Sequence, residues 1–439
     1  MKKITLYIIV AAMGFYGCNK KSDNAFSEST DERLNETLAK YQAALTGAQY
    51  GWKGFIYPAG SKGGVVGFYF KFSENNRVEM FSDFDAASAV TPMTASYRLK
   101  ALQQPALLFD TYSYVHVLAD PDAAVNGGEY GAGLVSDFEF AIDSIVGDSV
   151  KLTGRFNGSK AVLIKATQQE AQDYYDAKYG NRLFSNFSKI LNYFKRLVVG
   201  STEYEIDVNQ STRIITFTWV DGDGHVHTAT TGYYYTIDGV TLSPAFRDGT
   251  TTISSFKNIT WNGTATTLSF TVNGTASTIY GLGKPIKDDP DAARRWWQYA
   301  LDQDLYWAST RGFHVNGVND AYNISKITNF YYLIYFPQYG TSGGTNYDLL
   351  GPVKVVNNAL ALPYGLGYGA PSFSSDGRVS FPLLGTLGTI PAADSVAIAR
   401  TRIQFSESTG YYLVPINSTT YDMVNAKDGK AWITWQFPN

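Results

Sequence analysis

The chain has 439 residues, 44% of them hydrophobic, 15% aromatic and 17% charged, with a formal charge of −3 at neutral pH. That apolar content excludes an intrinsically disordered chain, and a near-neutral balance without a basic stripe argues against nucleic-acid binding, which requires phosphate neutralisation. The single cysteine, Cys18, leaves no thiol for a disulfide framework, a thiolate metal site or a cysteine nucleophile in the body of the chain.

Lys2 and Lys3 precede a short apolar run over residues 4–15. A charged start and a short apolar core are the physical requirements of a secretory signal, and a dozen apolar residues fall short of the roughly 20 that span a bilayer. Gly17 before Cys18 resembles the lipobox of bacterial lipoproteins, although Phe15 and Tyr16 depart from its usual leucine and small residue. The resemblance implies acylation of Cys18, cleavage of residues 1–17 and a lipid anchor. Losing residues 1–17 removes two lysines and no acid, which brings the charge from −3 to −5. The polar residues that follow, 18–30, read as a flexible tether.

Three segments then carry helix-start signals. Ser29 and Glu32 form a capping-box pattern ahead of Leu34, Leu38, Tyr41 and Leu45, and Thr167 and Glu170 form another. The second helical pattern continues through Phe184, Phe187, Leu191 and Phe194 to Gly200. Asp289-Pro290 opens the third, with Trp297, Leu301 and Leu305 expected on one face.

Strand-like sequence follows each helix. Ile215, Phe217 and Trp219 alternate with Thr216 and Thr218, and Leu268, Phe270 and Val272 alternate with Ser and Thr ahead of an Asn273-Gly274 turn. The stretches FEFAIDSIVGDSVKLTGRFNGSKAVLI and FKNITWNGTATTLSFTVNGTASTI share the order strand, turn, strand, Asn-Gly, strand, as an internal duplication would. The pattern predicts an α+β, β-rich chain with antiparallel sheets in two or three modules, each preceded by a helix. The expected boundaries are 31–167, 168–285 and 286–439.

GWKGFIYP (51–58), VEMFSDF (78–84) and SYRLKALQQPALLFDTYSYVHVLADPD (96–122) resemble a Bacteroidetes lipoprotein family known only as a domain of unknown function. The resemblance is most distinctive over 30–170 and extends to the C-terminus. It implies an outer-membrane lipoprotein, lipid-anchored at the cell surface, of the kind often encoded near starch-utilisation-type uptake systems. It supplies no catalytic residues.

Few constellations in the sequence carry chemistry. Gly340-Thr341-Ser342-Gly343-Gly344 fits the nucleophile-elbow spacing, but no histidine follows His314 and no helix pattern follows the serine, so a Gly-rich loop is the expected reading. Asp221, Asp223, His225 and His227 are the metal candidates: the two histidines share a strand face suited to Zn²⁺ and the two acids offer oxygens to Ca²⁺. The competing reading is an Asp-Gly hairpin turn, and no cofactor is otherwise implied. Asp83 with Asp85, Asp120 with Asp122, and Asp137 with Glu139 are same-face carboxylate pairs of the type glycosidases use, although turns and sheet surfaces use them more often.

Aromatic rings that stack on sugar or peptide faces are the remaining candidates, with Tyr364 and Tyr368 expected as an exposed platform and Trp432 and Trp435 as further contacts. The expected role is non-catalytic binding of a glycan or peptide nutrient for an outer-membrane uptake complex. The alternatives are a surface hydrolase or the partner of a surface protease, and a structural or adhesion lipoprotein.

Overall fold

The computed structural model describes residues 30–101, 104–249 and 251–438. Cys18, the signal segment, the tether up to Ser29 and Ser29 itself lie outside the described residues, and Thr30 opens a helix. The chain is β-rich, with antiparallel sheets in three successive modules and a helix ahead of each.

Helix α1 (Thr30–Thr46) leads into an eight-stranded closed barrel of β1 (Trp52–Tyr57), β2 (Val66–Ser73), β3 (Arg77–Ser82), β4 (Met93–Ala101), β5 (Pro105–Phe109), β6 (Glu139–Val146), β7 (Ser149–Gly154) and β8 (Lys160–Lys165). Each strand pairs with the next and β8 returns to β1, so no edge is left open. Alternation selects the interior: Phe68, Phe70 and Phe72 point inward from β2, while β1 presents Trp52, Gly54 and Ile56. A Cβ at Gly54 would meet the Phe70 ring at 2.4 Å, so the missing side chain makes room for that ring. Leu45 at the end of α1 joins this core, and its carbonyl accepts the Trp52 indole N–H at 2.9 Å.

Helix α2 (Gln168–Tyr175) starts at Thr167, where both arms of the capping box form. It does not continue as the periodicity suggested. Phe184 and Phe187 belong to a 3₁₀ segment (Leu183–Lys189), and Phe194 opens a strand. The spacing was real, but it serves to drop the two Phe rings into the mouth of the second barrel.

That barrel contains β9 (Phe194–Val199), β10 (Thr202–Asn209), β11 (Ile214–Val220), β12 (Val226–Thr236), β13 (Gly239–Arg247), β14 (Thr252–Asn262), β15 (Thr267–Val272) and β16 (Thr275–Leu282), closed by pairing of β16 with β9. Ile215, Phe217, Leu268, Phe270 and Val272 fill it, as their alternation requires. Asn273 and Gly274 take positive φ between β15 and β16. The two repeated sequence patterns are β6–β8 and β14–β16, the last three strands of each barrel, and so hold equivalent positions.

The third module is an open sheet that curls round α3 (Ala292–Asp302). Trp296 of α3 stacks between Trp307 and Tyr335 at 5.5 and 5.1 Å, and α4 (Ser395–Phe405) adds Ile398 and Phe405 to the same core. The inward face of α3 is therefore Ala292, Ala293, Trp296 and Ala300 rather than the expected Trp297, Leu301 and Leu305. Trp297 lies one position round and donates its indole N–H to buried Asp348 at 2.9 Å, while Leu305 is exposed beyond the helix end. Ser342 sits at the tip of a hairpin whose strands, Phe330–Ser342 and Thr345–Val356, meet at Gly343-Gly344, so no strand-to-helix elbow forms.

Candidate functional site

The strand Ala431–Gln436 decides the fate of two tryptophans by its period of two. Ala431, Ile433 and Trp435 face the core, whereas Trp432, Thr434 and Gln436 lie on the opposite face, where half-buried Trp432 also packs against Phe194, Tyr412 and Val424. Trp435 is fully buried and is therefore a core residue, not an accessible contact. Trp432 lies opposite His314 in the sheet register, and the rings stack with centroids 3.8 Å apart and planes 22° from parallel. The Asn319 carboxamide lies 2.6 Å from His314 Nδ1 and fixes the ring, and Tyr193 from the second barrel meets the Trp432 edge at 5.4 Å.

This stack stands between two cavities and lines both. The larger, about 630 Å³, runs between the second barrel and the third module, walled by Leu191, Asn192, Lys195, Asn209 and Gln210. The smaller, about 230 Å³, continues on the third module with Arg311, Asn319, Asp320, Thr434 and Gln436. Together they form one open groove with a paired-ring step in the middle, and its walls mix carboxamides with apolar side chains such as Phe187, Ile190 and Val208. Aromatic faces bordered by a few polar donors and acceptors are what a polar ligand with one apolar face requires.

Charge in the groove is unevenly committed. The Asp320 carboxylate already accepts the N–H groups of Gly312, Ile324 and Ser325 and the Ser325 hydroxyl at 2.5–3.1 Å. Lys195 is half-buried, donates to the Asn192 carbonyl at 2.7 Å and lies 5.4 Å over the Phe187 ring. Desolvation pulls the Lys195 ammonium below its ordinary pKa, opposed by the negative field of Asp207 and Glu205.

The exposed platform expected from Tyr364 and Tyr368 does not exist. Both are buried, Tyr364 donating to Asp394 at 2.5 Å and Tyr368 packing on Phe405 at 5.1 Å. Their Gly-rich segment is a short strand, Gly365–Tyr368, sandwiched between neighbours in the sheet, so its glycines allow close strand approach rather than a loop.

The four metal candidates fall on the β11–β12 hairpin. Asp221 Oδ1 accepts the Asp223 and His225 backbone N–H groups at 3.0 and 2.8 Å, and its Oδ2 lies 2.7 Å from His227 Nε2. Trp219, opposite His227 in register, stacks on that ring at 5.4 Å. Ligating atoms of Asp221, Asp223 and His225 do lie within 4.8 Å of one another. The Asp221 carboxylate is already engaged by three N–H groups, as a closed hairpin turn requires. Those bonds pull the Asp221 carboxyl down to about 2 from its ordinary 3.8, the one to His227 foremost.

The paired acids serve as structural acceptors. Buried Asp137 takes the N–H groups of Phe156, Asn157 and Ser159 at 2.8–3.0 Å, and Asp120 and Asp122 accept from their own loop. Buried Asp83 accepts from Gly67 and Tyr235, one in each barrel. Glu139 pairs with Lys100 and Arg155.

Residues 22–263 match the family model described as a domain of unknown function, DUF4302, which spans more than half of the chain. The chain belongs to the DUF4302 family. The match includes the barrel wall of the groove but stops short of His314 and Trp432. No curated protein matches the DUF4302 chain. Among solved structures it is similar to the di-domain ARO/CYC StfQ from the steffimycin biosynthetic pathway, at 11% identity over 62% of this chain and 89% of that one with a TM-score of 0.14. The Helicobacter pylori beta clamp in complex with diflunisal gives 7% identity over 93% and 98% with a TM-score of 0.15. Transferrin binding protein B from Neisseria meningitidis gives 9% over 85% and 65% with a TM-score of 0.11. Likeness at these scores carries no argument about fold or role.

His314 was missed as a site residue because its partner lies more than a hundred positions away. The only local signal was the alternation in AWITWQ, which assigns Trp432 and Trp435 to opposite faces.

Proposed function

We propose that this DUF4302 protein is a lipid-anchored, outer-membrane surface protein that captures a glycan without turning it over, on behalf of an uptake complex. The observation that carries the reading is the His314–Trp432 stack, set in an open groove among the Asn192, Asn209 and Gln210 side chains. A sugar ring presents a C–H face to such rings and hydroxyls to carboxamides. The acids weighed as a hydrolytic pair are instead held by backbone donors or lysine and arginine side chains, which favours capture over hydrolysis. The lipobox at Gly17-Cys18 supports anchoring, and among the described residues no helix is long and apolar enough to cross a membrane.

Two experiments test this. The full-length chain in detergent, screened against neutral and acidic oligosaccharides with hydrolysis assayed on every hit, should bind without cleaving, and Trp432→Ala should abolish binding. Failure of every glycan to bind, or binding indifferent to Trp432→Ala, would overturn the capture reading. Radiolabelled palmitate should mark the parent but not Cys18→Ala, and equal labelling would overturn the anchor.

A further inference from the structure

We infer that the groove is built for an acidic glycan, a uronate-type oligosaccharide with one ring against the His314–Trp432 step and its carboxylate on Lys195. The inference rests on reading the groove as a glycan site and adds the ligand's charge.

The argument is one of unmatched cations. Among the described residues no carboxylate lies within ion-pair distance of Lys195, whose ammonium donates to one backbone carbonyl and has two further N–H groups to place. A half-buried ammonium left under-bonded is costly, and an anion entering the groove would complete its shell. Glu205, one of the two acids whose field reaches it, is occupied by the Ile286 N–H at 2.8 Å. The other, Asp207, is exposed at the rim.

At the opposite end Arg311 is exposed, lines the smaller cavity, and has no ion-pair partner among the described residues. The acid beside it, Asp320, is fully engaged by its own loop. The stacked rings thus lie between two cations without an ion-pair partner among the described residues, an arrangement that suits a ligand carrying carboxylates at intervals.

Calorimetric titration of the full-length chain with trigalacturonate and with maltotriose tests the inference. Trigalacturonate should bind about tenfold or more tightly, and the difference should shrink as salt rises from roughly 0.1 M to roughly 1 M. Lys195→Met should remove the preference, and Lys195→Arg, which keeps the charge, should retain most of it. Equal binding of the two sugars, both dependent on Trp432, would overturn the acidic-ligand inference and leave glycan capture standing. A preference that survives Lys195→Met combined with Arg311→Ala would overturn it as well. If neither these nor any other glycans bind, or only an acidic tripeptide does, capture and inference fall together.

Discussion

Asp83 of the first barrel and Arg213 of the second meet across the boundary between them, the guanidinium donating to the Asp83 carbonyl at 2.6 Å. The Asp83 carboxylate meanwhile accepts Gly67 N–H from its own barrel at 2.9 Å and Tyr235 N–H from the other at 2.7 Å. Arg182 donates to the same carbonyl, and both guanidinium groups lie within 5 Å of the Tyr235 ring centre. One aspartate therefore ties two closed sheets that have no strand pairing in common. Asp83→Ala strands the Gly67 and Tyr235 backbone donors and removes the carboxylate that lies 4.0 Å from buried Arg213, whose bonds to main-chain carbonyls remain, and should cost about 3–5 kcal/mol. Urea denaturation followed by hydrogen exchange should show the barrels losing protection in separate steps, where the parent loses it together. A single unchanged transition would mean that other contacts hold the pair.

Tyr368 offers a test of the groove's location. It is packed among Phe381, Phe405 and Tyr411, so Tyr368→Ala opens a cavity in the third module and should cost about 3–5 kcal/mol. At temperatures where the variant remains folded, glycan affinity should match the parent. A selective loss of affinity with an unchanged melting temperature would return this tyrosine to the binding surface.

The β11–β12 turn should depend on pH only in strong acid. Asp221 has a folded pKa of about 2, below its ordinary 3.8. A depressed carboxyl contributes stability above its unfolded pKa, and that contribution fades as pH falls from near 4 through about 2. Carboxyl NMR should place the Asp221 midpoint well below those of exposed aspartates. Asp221→Asn should release His227, seen as a changed ring shift and mobility, while added Zn²⁺ or Ca²⁺ should perturb neither form. A midpoint near 4, or a saturable metal response in the parent, would contradict the turn reading.

Much of the architecture was readable because closed β-meanders are locally written. Alternation in residues 214–220 and 267–272 gave the faces directly, and Thr167 with Glu170 marked a helix start by a short-range hydrogen-bond pattern. Errors arose where two periods fit the same residues. Phe184, Phe187 and Phe194 satisfy helical spacing, yet the chain needed only a tight 3₁₀ turn before its strand. Tyr364 and Tyr368 looked exposed because Gly and Pro neighbours suggest a loop, although glycine also permits close strand packing. The groove itself was not legible. His314 and Trp432 meet only through a two-residue pairing, and Lys195 lines the same cavity from another module.

The geometry of that groove should be adjustable from a residue that does not line it. Gly429 has φ +68°, and a Cβ there would lie 2.4 Å from the Leu282 carbonyl at the end of the second barrel. Its own carbonyl accepts Tyr193 N–H at 2.6 Å, and Asn192 donates to the neighbouring Asp428 carbonyl, also at 2.6 Å. The turn that carries Gly429 thus pins the barrel wall bearing Asn192 and Lys195 to the strand bearing Trp432. Alanine at 429 faces both a strained backbone and a backbone clash, and no flexible side chain is there to yield. It should lower stability by more than about 1 kcal/mol. It should also weaken oligosaccharide binding several-fold with every lining side chain intact, because the wall and the ring step would separate. Calorimetry alongside thermal melting checks this. A lowered melting temperature with unaltered affinity would show that the ligand contacts only the third module and that the barrel wall takes no part in the site.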